Sequence, residues 1–247
     1  MSITTSTVNG VARIGFDRPA TKNALTADMY AALAQAVIDA EQDDAVVALL
    51  FHGQHDLFTA GNDLEDFLGN PPGPDASVFA FMRELAAASK PVVAAVNGPA
   101  VGIGTTLLLH CDLVYLADDA TLMLPFVKLG LCPEFASSLL LPALAGHARA
   151  AEKLLLAEPI TPEEALSMGL ATRVLPAARV FEFACSQAER FNALSGAAVI
   201  ATKRLMKQAR QAQVASQMDA EVSAFGALLA GPDAQAAMLA FLQRRKV

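Results

Sequence analysis

Apolar and polar positions alternate along residues 3–8 and again along 11–16, with Asn9-Gly10 between the two runs. This is the pattern of two paired strands joined by a tight turn. The period then changes. Met29, Leu33, Val37 and Ala40 recur at helical spacing between Thr26 and Gln42, with Thr26 placed as cap and Asp28 in the first turn. Val46 to Phe51 is a continuous apolar run, predicting a buried strand that feeds a polar loop, Phe58-Thr59-Ala60-Gly61-Asn62-Asp63-Leu64. The same logic recurs downstream. A helix near 75–88 precedes a buried strand over Val92–Val96 and a glycine-containing turn into another helix. Shorter strands are predicted at 112–116, 121–124 and 171–175. A helix before the last of these opens on Thr161-Pro162-Glu163-Glu164, with the spacing of a capping box, and closes at Gly169. From Ala177 the periodicity is helical almost to the end, broken at Gly196 and Gly231-Pro232. Strand, turn and helix repeat without sequence repetition, which predicts an α/β fold.

Composition sharpens this picture. The 247 residues are 54% hydrophobic and 17% charged, so disorder is excluded as the main state. Such an excess of apolar residues raises the question of a membrane. The longest uncharged run, Pro91 to Cys111, is broken by Asn97-Gly98-Pro99 and by Gly102 and Gly104, and reads as core strand, loop and helix start; no membrane partner is expected. The first residues lack a basic start followed by an apolar run, so neither a secretory signal nor an anchor is expected there. A net charge of −7 argues against a nucleic-acid partner, which needs clustered Lys and Arg. Cys111, Cys132 and Cys185 are widely spaced among apolar neighbours, the signature of reduced thiols, so a cytoplasmic location is expected.

Candidate chemistry is sparse. His52 and His55 are read as loop residues and His110 and His147 are isolated, so no metal site is expected. The GxSxG nucleophile elbow is absent, since Ser137-Ser138 lack its glycines. Gly102-Ile103-Gly104 follows a strand, but the third glycine of a dinucleotide fingerprint is missing at Leu107. These glycines serve either close helix–strand packing or a turn that presents N–H groups to an anion or developing oxyanion. Ala60-Gly61-Asn62-Asp63 is a second such turn, open to the same reading or to simple closure by Asx hydrogen bonds. Glu134 is the only acidic residue from Ala120 through Ala151. It is either a first-turn acid after Pro133, starting a helix over 134–145, or a general base whose pKa is raised by apolar surroundings.

Three blocks resemble the crotonase (enoyl-CoA hydratase/isomerase) superfamily: Arg18-Pro19 through Lys22-Asn23-Ala24-Leu25, Phe58 through Leu64, and Ala95-Val96-Asn97-Gly98-Pro99-Ala100-Val101-Gly102. The segment Leu124 through Glu134, with Ser137-Ser138 after it, is similar to the peroxisomal-type 3,2-enoyl-CoA isomerase branch. The resemblance implies a crotonase-like spiral of ββα units over residues 1–190. It also implies a helical C-terminal region, 191–247, that mediates a homotrimer or dimer of trimers. The implied substrate is an acyl-CoA thioester, with coenzyme A part of the substrate and no separate cofactor. The implied oxyanion donors are the backbone N–H groups of Asn62 and Ile103. Lys22, Ala24, Leu25, Ala60, Gly61, Asn62, Asp63, Leu64, Gly102 and Phe126 would line the substrate site, and Phe67, Leu68, Phe79, Phe126 and Leu131 are candidates for an acyl pocket. Family hydratases use two glutamates, and those positions here are Thr106 and Phe126, which puts ordinary hydration in doubt. Glu134 falls where the isomerase branch keeps its single base. The expected activity is therefore 3-enoyl-CoA to trans-2-enoyl-CoA isomerisation in fatty-acid or related catabolism. The alternatives are an enoyl-CoA hydratase, another crotonase-type acyl-CoA enzyme, or a non-catalytic acyl-CoA-binding member.

Overall fold

The computed structural model describes residues 2–54, 57–69, 72–73 and 76–244. Strands β1 (Ile3–Val8) and β2 (Val11–Phe16) pair antiparallel, with Val8 opposite Val11 and both Asn9 and Gly10 at positive φ. This is the tight hairpin that Asn-Gly favours. Helix α1 (Ala27–Gln42) starts where the Thr26 hydroxyl accepts the Met29 N–H, and it buries Met29, Leu33, Val37 and Ala40.

Strand β3 (Ala48–Gly53) runs parallel to β2, Ala48 opposite Val11 and Gly53 opposite Phe16. That register carries the strand two residues beyond the expected end at Phe51. His52 is therefore a strand residue, not a loop residue, and its ring packs on Phe181 at 4.8 Å between centroids. His55 lies outside the described residues. Helices α2 (Leu64–Gly69) and α3 (Ser77–Ala87) follow, then the fully buried β4 (Val92–Val96), β5 (Pro99–Val101) and the single-turn α4 (Ile103–Thr106). The uncharged run from Pro91 is thus core strand, turn and helix. Among the described residues no single helix is long and apolar enough to cross a membrane.

Next come β6 (Leu113–Ala117) and β7 (Thr121–Met123), then α5 (Ser137–Ala145), α6 (His147–Leu155) and α7 (Pro162–Met168). In α7 the Thr161–Glu164 capping box forms on both sides, and Gly169 ends the helix in the left-handed conformation. The chain finishes with β8 (Arg173–Leu175), α8 (Ala177–Glu189), α9 (Gly196–Gln208), α10 (Gln211–Leu229) and α11 (Pro232–Arg244).

The long sheet has the order β1-β2-β3-β4-β6-β8 and is parallel beyond its first pair. A second, short layer is made by β5 and β7 and extended by single bridges at Thr59–Ala100, Leu25–Asn62 and Leu122–Ile160. Each turn of the chain lays a strand in the long sheet, then a short segment in the second layer, then a helix. That is the expected spiral of ββα units, and the loops carrying the candidate site are the short-layer segments. Helix α9 is tied to this body by Lys203, whose ammonium donates to the Lys90 carbonyl (2.7 Å) and to Asp112 (2.6 Å). Helix α10 packs on α5, and α11 on α2.

Candidate active site

The Arg18 to Leu25 block is a brace for the loop that carries Asn62. Asn23 is fully buried with a φ of 57°, a left-handed conformation that asparagine tolerates. Its side-chain amide donates to the carbonyls of Leu57 and Phe58, both at 3.0 Å, and its carbonyl oxygen accepts the Arg18 N–H. The Arg18 guanidinium reaches Asp63 at 2.6 Å and the Ala24 carbonyl at 2.9 Å. Backbone bonds from Ala60 to Lys22, Leu25 to Gly61 and Asp63 to Leu25 complete the seam. Ala24 and Leu25 are buried in this seam, whereas Lys22 is exposed.

The second turn is pressed against the first. Gly61 has a φ of +85°, and a β-carbon there would stand 2.6 Å from the Val101 carbonyl oxygen, so only glycine allows the approach. Gly102 has a φ of 56° and ψ of −117°, again glycine geometry, and starts α4. Neither the Asn62 N–H nor the Ile103 N–H donates to another described residue, whereas Gly61 and Asp63 beside Asn62, and Gly102 before Ile103, all do. Ile103 is the first residue of α4, where a helix leaves its amides unpaired. The Asn62 side chain accepts a short hydrogen bond from the buried Tyr30 hydroxyl.

Glu134 does not start a helix. Phe135 and Ala136 both take left-handed backbone, at φ of 60° and 54°, and α5 begins only at Ser137. The expected helix over 134–145 is corrected accordingly, and the dipole-capping role falls with it. Contacts from three side chains, His110, Ser137 and Glu221, hold the detour. The Phe135 ring stacks on His110 at 3.9 Å, while the Phe135 carbonyl is hydrogen-bonded to His110 Nε2 at 2.8 Å. The Glu134 carbonyl accepts from Ser137 Oγ at 2.6 Å. From α10, the Glu221 carboxylate accepts from the Ala136 N–H (2.5 Å), the Ser138 N–H (3.0 Å) and the Ser138 hydroxyl.

The result is a buried Glu134, 4% exposed as a residue. Its Oε1 accepts from the Thr106 hydroxyl at 2.6 Å, and its Oε2 is buried without a partner among the described residues. Burial is the main cause that pushes its pKa up to about 8; the Thr106 bond works against the rise and the Glu221 charge adds to it. Burial and the Glu134 charge also raise the Tyr30 phenol.

Asn62 and Glu134 line one narrow, nearly closed pocket with a cavity volume of about 10 Å³. Phe67, Val78, Phe79 and Met82 give it an apolar lining together with Val222 and Phe225 of α10, the Phe67 and Phe225 rings meeting edge to face at 6.0 Å. Of the residues expected in an acyl pocket, Phe67 and Phe79 are there. Leu68, Phe126 and Leu131 are not in its lining, and Phe126 is buried at the base of the next turn, its carbonyl accepting from Leu129 and Leu131. Val222 and Glu221 carried no signal in the sequence, because α10 reads as an ordinary amphipathic helix; Phe225 stood out only as a candidate contact to a neighbouring subunit's CoA, whereas it lines this chain's own pocket. Thr106 was visible only as an absence of acid. Among the described residues no group of three or more His, Cys, Asp or Glu could hold a metal ion.

A spiral of ββα units whose second layer presses two glycine turns together beside a buried carboxyl with an unpartnered oxygen defines the crotonase class. The chain belongs to the enoyl-CoA hydratase/isomerase family, whose model matches residues 6–247. It is 41% identical over 174 residues to enoyl-CoA delta isomerase 2 of Rattus norvegicus, covering 68% of this chain and 44% of that protein. The chain thus spans less than half the length of that relative. A probable enoyl-CoA hydratase of Bacillus subtilis (strain 168) is 31% identical over 230 residues, covering 91% of this chain and 89% of that one. The solved structure of Pseudomonas aeruginosa OdaA superposes with a TM-score of 0.95 at 46% identity, covering 97% of this chain and 98% of its own.

Proposed function

We propose that the protein is a 3-enoyl-CoA to trans-2-enoyl-CoA isomerase that works with one acid/base. The observation that carries this reading is the unpartnered Oε2 of Glu134, buried against an apolar pocket with its pKa near 8. A lone base of this strength suits a reaction in which one proton leaves and returns. Glu134 removes a proton from C2 of the 3-enoyl thioester, and the electron pair spreads over C4 and the thioester oxygen as a dienolate. The same carboxylic acid then protonates C4, leaving the double bond between C2 and C3. The Asn62 and Ile103 N–H groups stabilise the thioester oxygen as it gains charge, each contributing on the order of 3 kcal/mol. Water is not consumed, so the pocket has to exclude it, as apolar walls do.

Thr106 supports the same conclusion. It fills the place where the family resemblance puts a hydratase glutamate, and its hydroxyl is spent on Glu134 Oε1. It cannot activate a water as a carboxylate does. Lys22, exposed beside the Ala60–Leu64 loop, is suited to the phosphates of coenzyme A, and the proposed chemistry needs no cofactor besides the substrate's own CoA. Exposed Leu144, Leu155, Leu156 and Leu166 over α5–α7 support self-association, which we expect to yield a trimer or a dimer of trimers.

The test is a panel of 2- and 3-enoyl-CoA thioesters. Wild type is expected to convert 3-hexenoyl-CoA far faster than it hydrates crotonyl-CoA, and Glu134→Gln is expected to lose isomerisation by several orders of magnitude while staying folded. Comparable turnover of crotonyl-CoA would favour the hydratase activity in the name of the Bacillus subtilis relative. Binding of thioesters without any double-bond movement would favour a non-catalytic acyl-CoA-binding member.

A further inference from the structure

We propose that Glu221, in the C-terminal helix α10, is a positioning residue for the Glu134 base, holding the left-handed turn that points its carboxyl into the pocket. The inference rests on the isomerase reading above. Two consecutive non-glycine residues in left-handed backbone, Phe135 and Ala136, do not hold that shape by themselves. Ala136 is the cap residue of α5 and has no side-chain acceptor to offer the first amides of the helix. Glu221 supplies the acceptor from a helix 85 residues away in sequence, taking the Ala136 N–H at 2.5 Å and the Ser138 N–H at 3.0 Å. It also accepts the Ser138 hydroxyl, which in turn accepts from Gln217 one helical turn earlier on α10, at 2.8 Å. Glu221 is 5% exposed, so these bonds are sheltered from water.

The arrangement has an electrostatic side. Burial raises the Glu221 pKa, and the bonds it accepts from the Ala136 and Ser138 N–H groups and the Ser138 hydroxyl work against that rise; the charge of Glu221 stands near Glu134 and opposes its ionisation. The other titratable groups acting on this site are Tyr30 from α1, whose phenol stays protonated, and Cys132, whose thiol is raised by burial. Behind the turn, burial lowers His110 to about 4, so it is neutral at working pH. Of these four groups, Glu221 is the one whose charge acts on Glu134.

The experiment compares wild type, Glu221→Gln and Ser138→Ala by steady-state kinetics with 3-hexenoyl-CoA across pH. A carboxyl-labelled NMR titration of Glu134 in the free enzyme accompanies it. Glu221→Gln keeps the shape but loses one acceptor and the charge. Its kcat is expected to fall about tenfold with KM nearly unchanged, and the Glu134 titration is expected to move to lower pH. Ser138→Ala keeps the charge and loosens the clamp, so kcat is expected to fall while the titration stays in place. If Glu221→Gln fails to fold, the Ser138→Ala arm decides alone. A lower melting temperature with unchanged kcat, KM and Glu134 titration would mean that Glu221 merely stabilises α5, and overturns the proposal. Wild type without isomerase activity defeats the isomerase reading instead, and the NMR titration still reports whether Glu221 acts on Glu134.

Discussion

Replacing Glu134 by Gln should make the protein more stable, and increasingly so as the pH rises. In the unfolded chain this carboxyl titrates near its ordinary 4.5, whereas burial holds it near 8 in the fold. Between those values the folded chain keeps a proton that the unfolded chain has released, so stability falls as pH rises. At about 1.4 kcal/mol per unit, the loss accumulated by pH 8 is about 5 kcal/mol as an upper bound. Gln has the shape of the protonated acid, retains an acceptor for the Thr106 hydroxyl and has no proton to lose. Near pH 5 the two proteins should differ by about 1 kcal/mol or less, and near pH 9 the variant should be the more stable by several kcal/mol. For a chain of 247 residues that corresponds to a rise in Tm of about 10 °C. Denaturation of both proteins at matched pH values from 5 to 9 measures the difference, and other titrating groups cancel in the comparison. A difference that does not change with pH would refute the claim that Glu134 is held protonated by burial.

Two further perturbations test the geometry. Thr106→Val removes the one hydrogen bond that favours the Glu134 carboxylate, so the acid limb of the rate profile should move up by about one pH unit; a limb that stays or falls contradicts the assignment of Thr106 to Oε1. Gly61→Ala places a β-carbon 2.6 Å from the Val101 oxygen at a φ of +85°, and should cost roughly 1–3 kcal/mol by thermal melting while lowering kcat through displacement of the Asn62 amide.

The layered spiral was legible because its signals are local. Asn9-Gly10 makes a hairpin in almost any context, and Thr161 with Glu164 closes a capping box using residues three apart. The end of β3 was not legible, since Phe51 closes the apolar run while the ladder with β2 continues to Gly53. Glu134 stood out by its isolation, but its backbone did not. A proline followed by an acid is a sound helix start until a histidine from one segment and a carboxylate from another pull the chain into two left-handed residues. The same limit applies to the pocket. Phe67 and Phe79 sit close in sequence to the loops they serve, whereas Val222 and Phe225 reach the site only after the whole spiral has been laid down.

That order of construction has a consequence for synthesis. A ribosome finishes every strand of the spiral before it makes α10, so the Glu221 clamp on the turn and the Val222 and Phe225 lining of the pocket are the last parts of the site to be synthesised. In that interval the turn that carries Glu134 lacks the acceptor that Glu221 supplies to the Ala136 and Ser138 N–H groups. If Glu134 is the base proposed above, its geometry is complete only when α10 has docked.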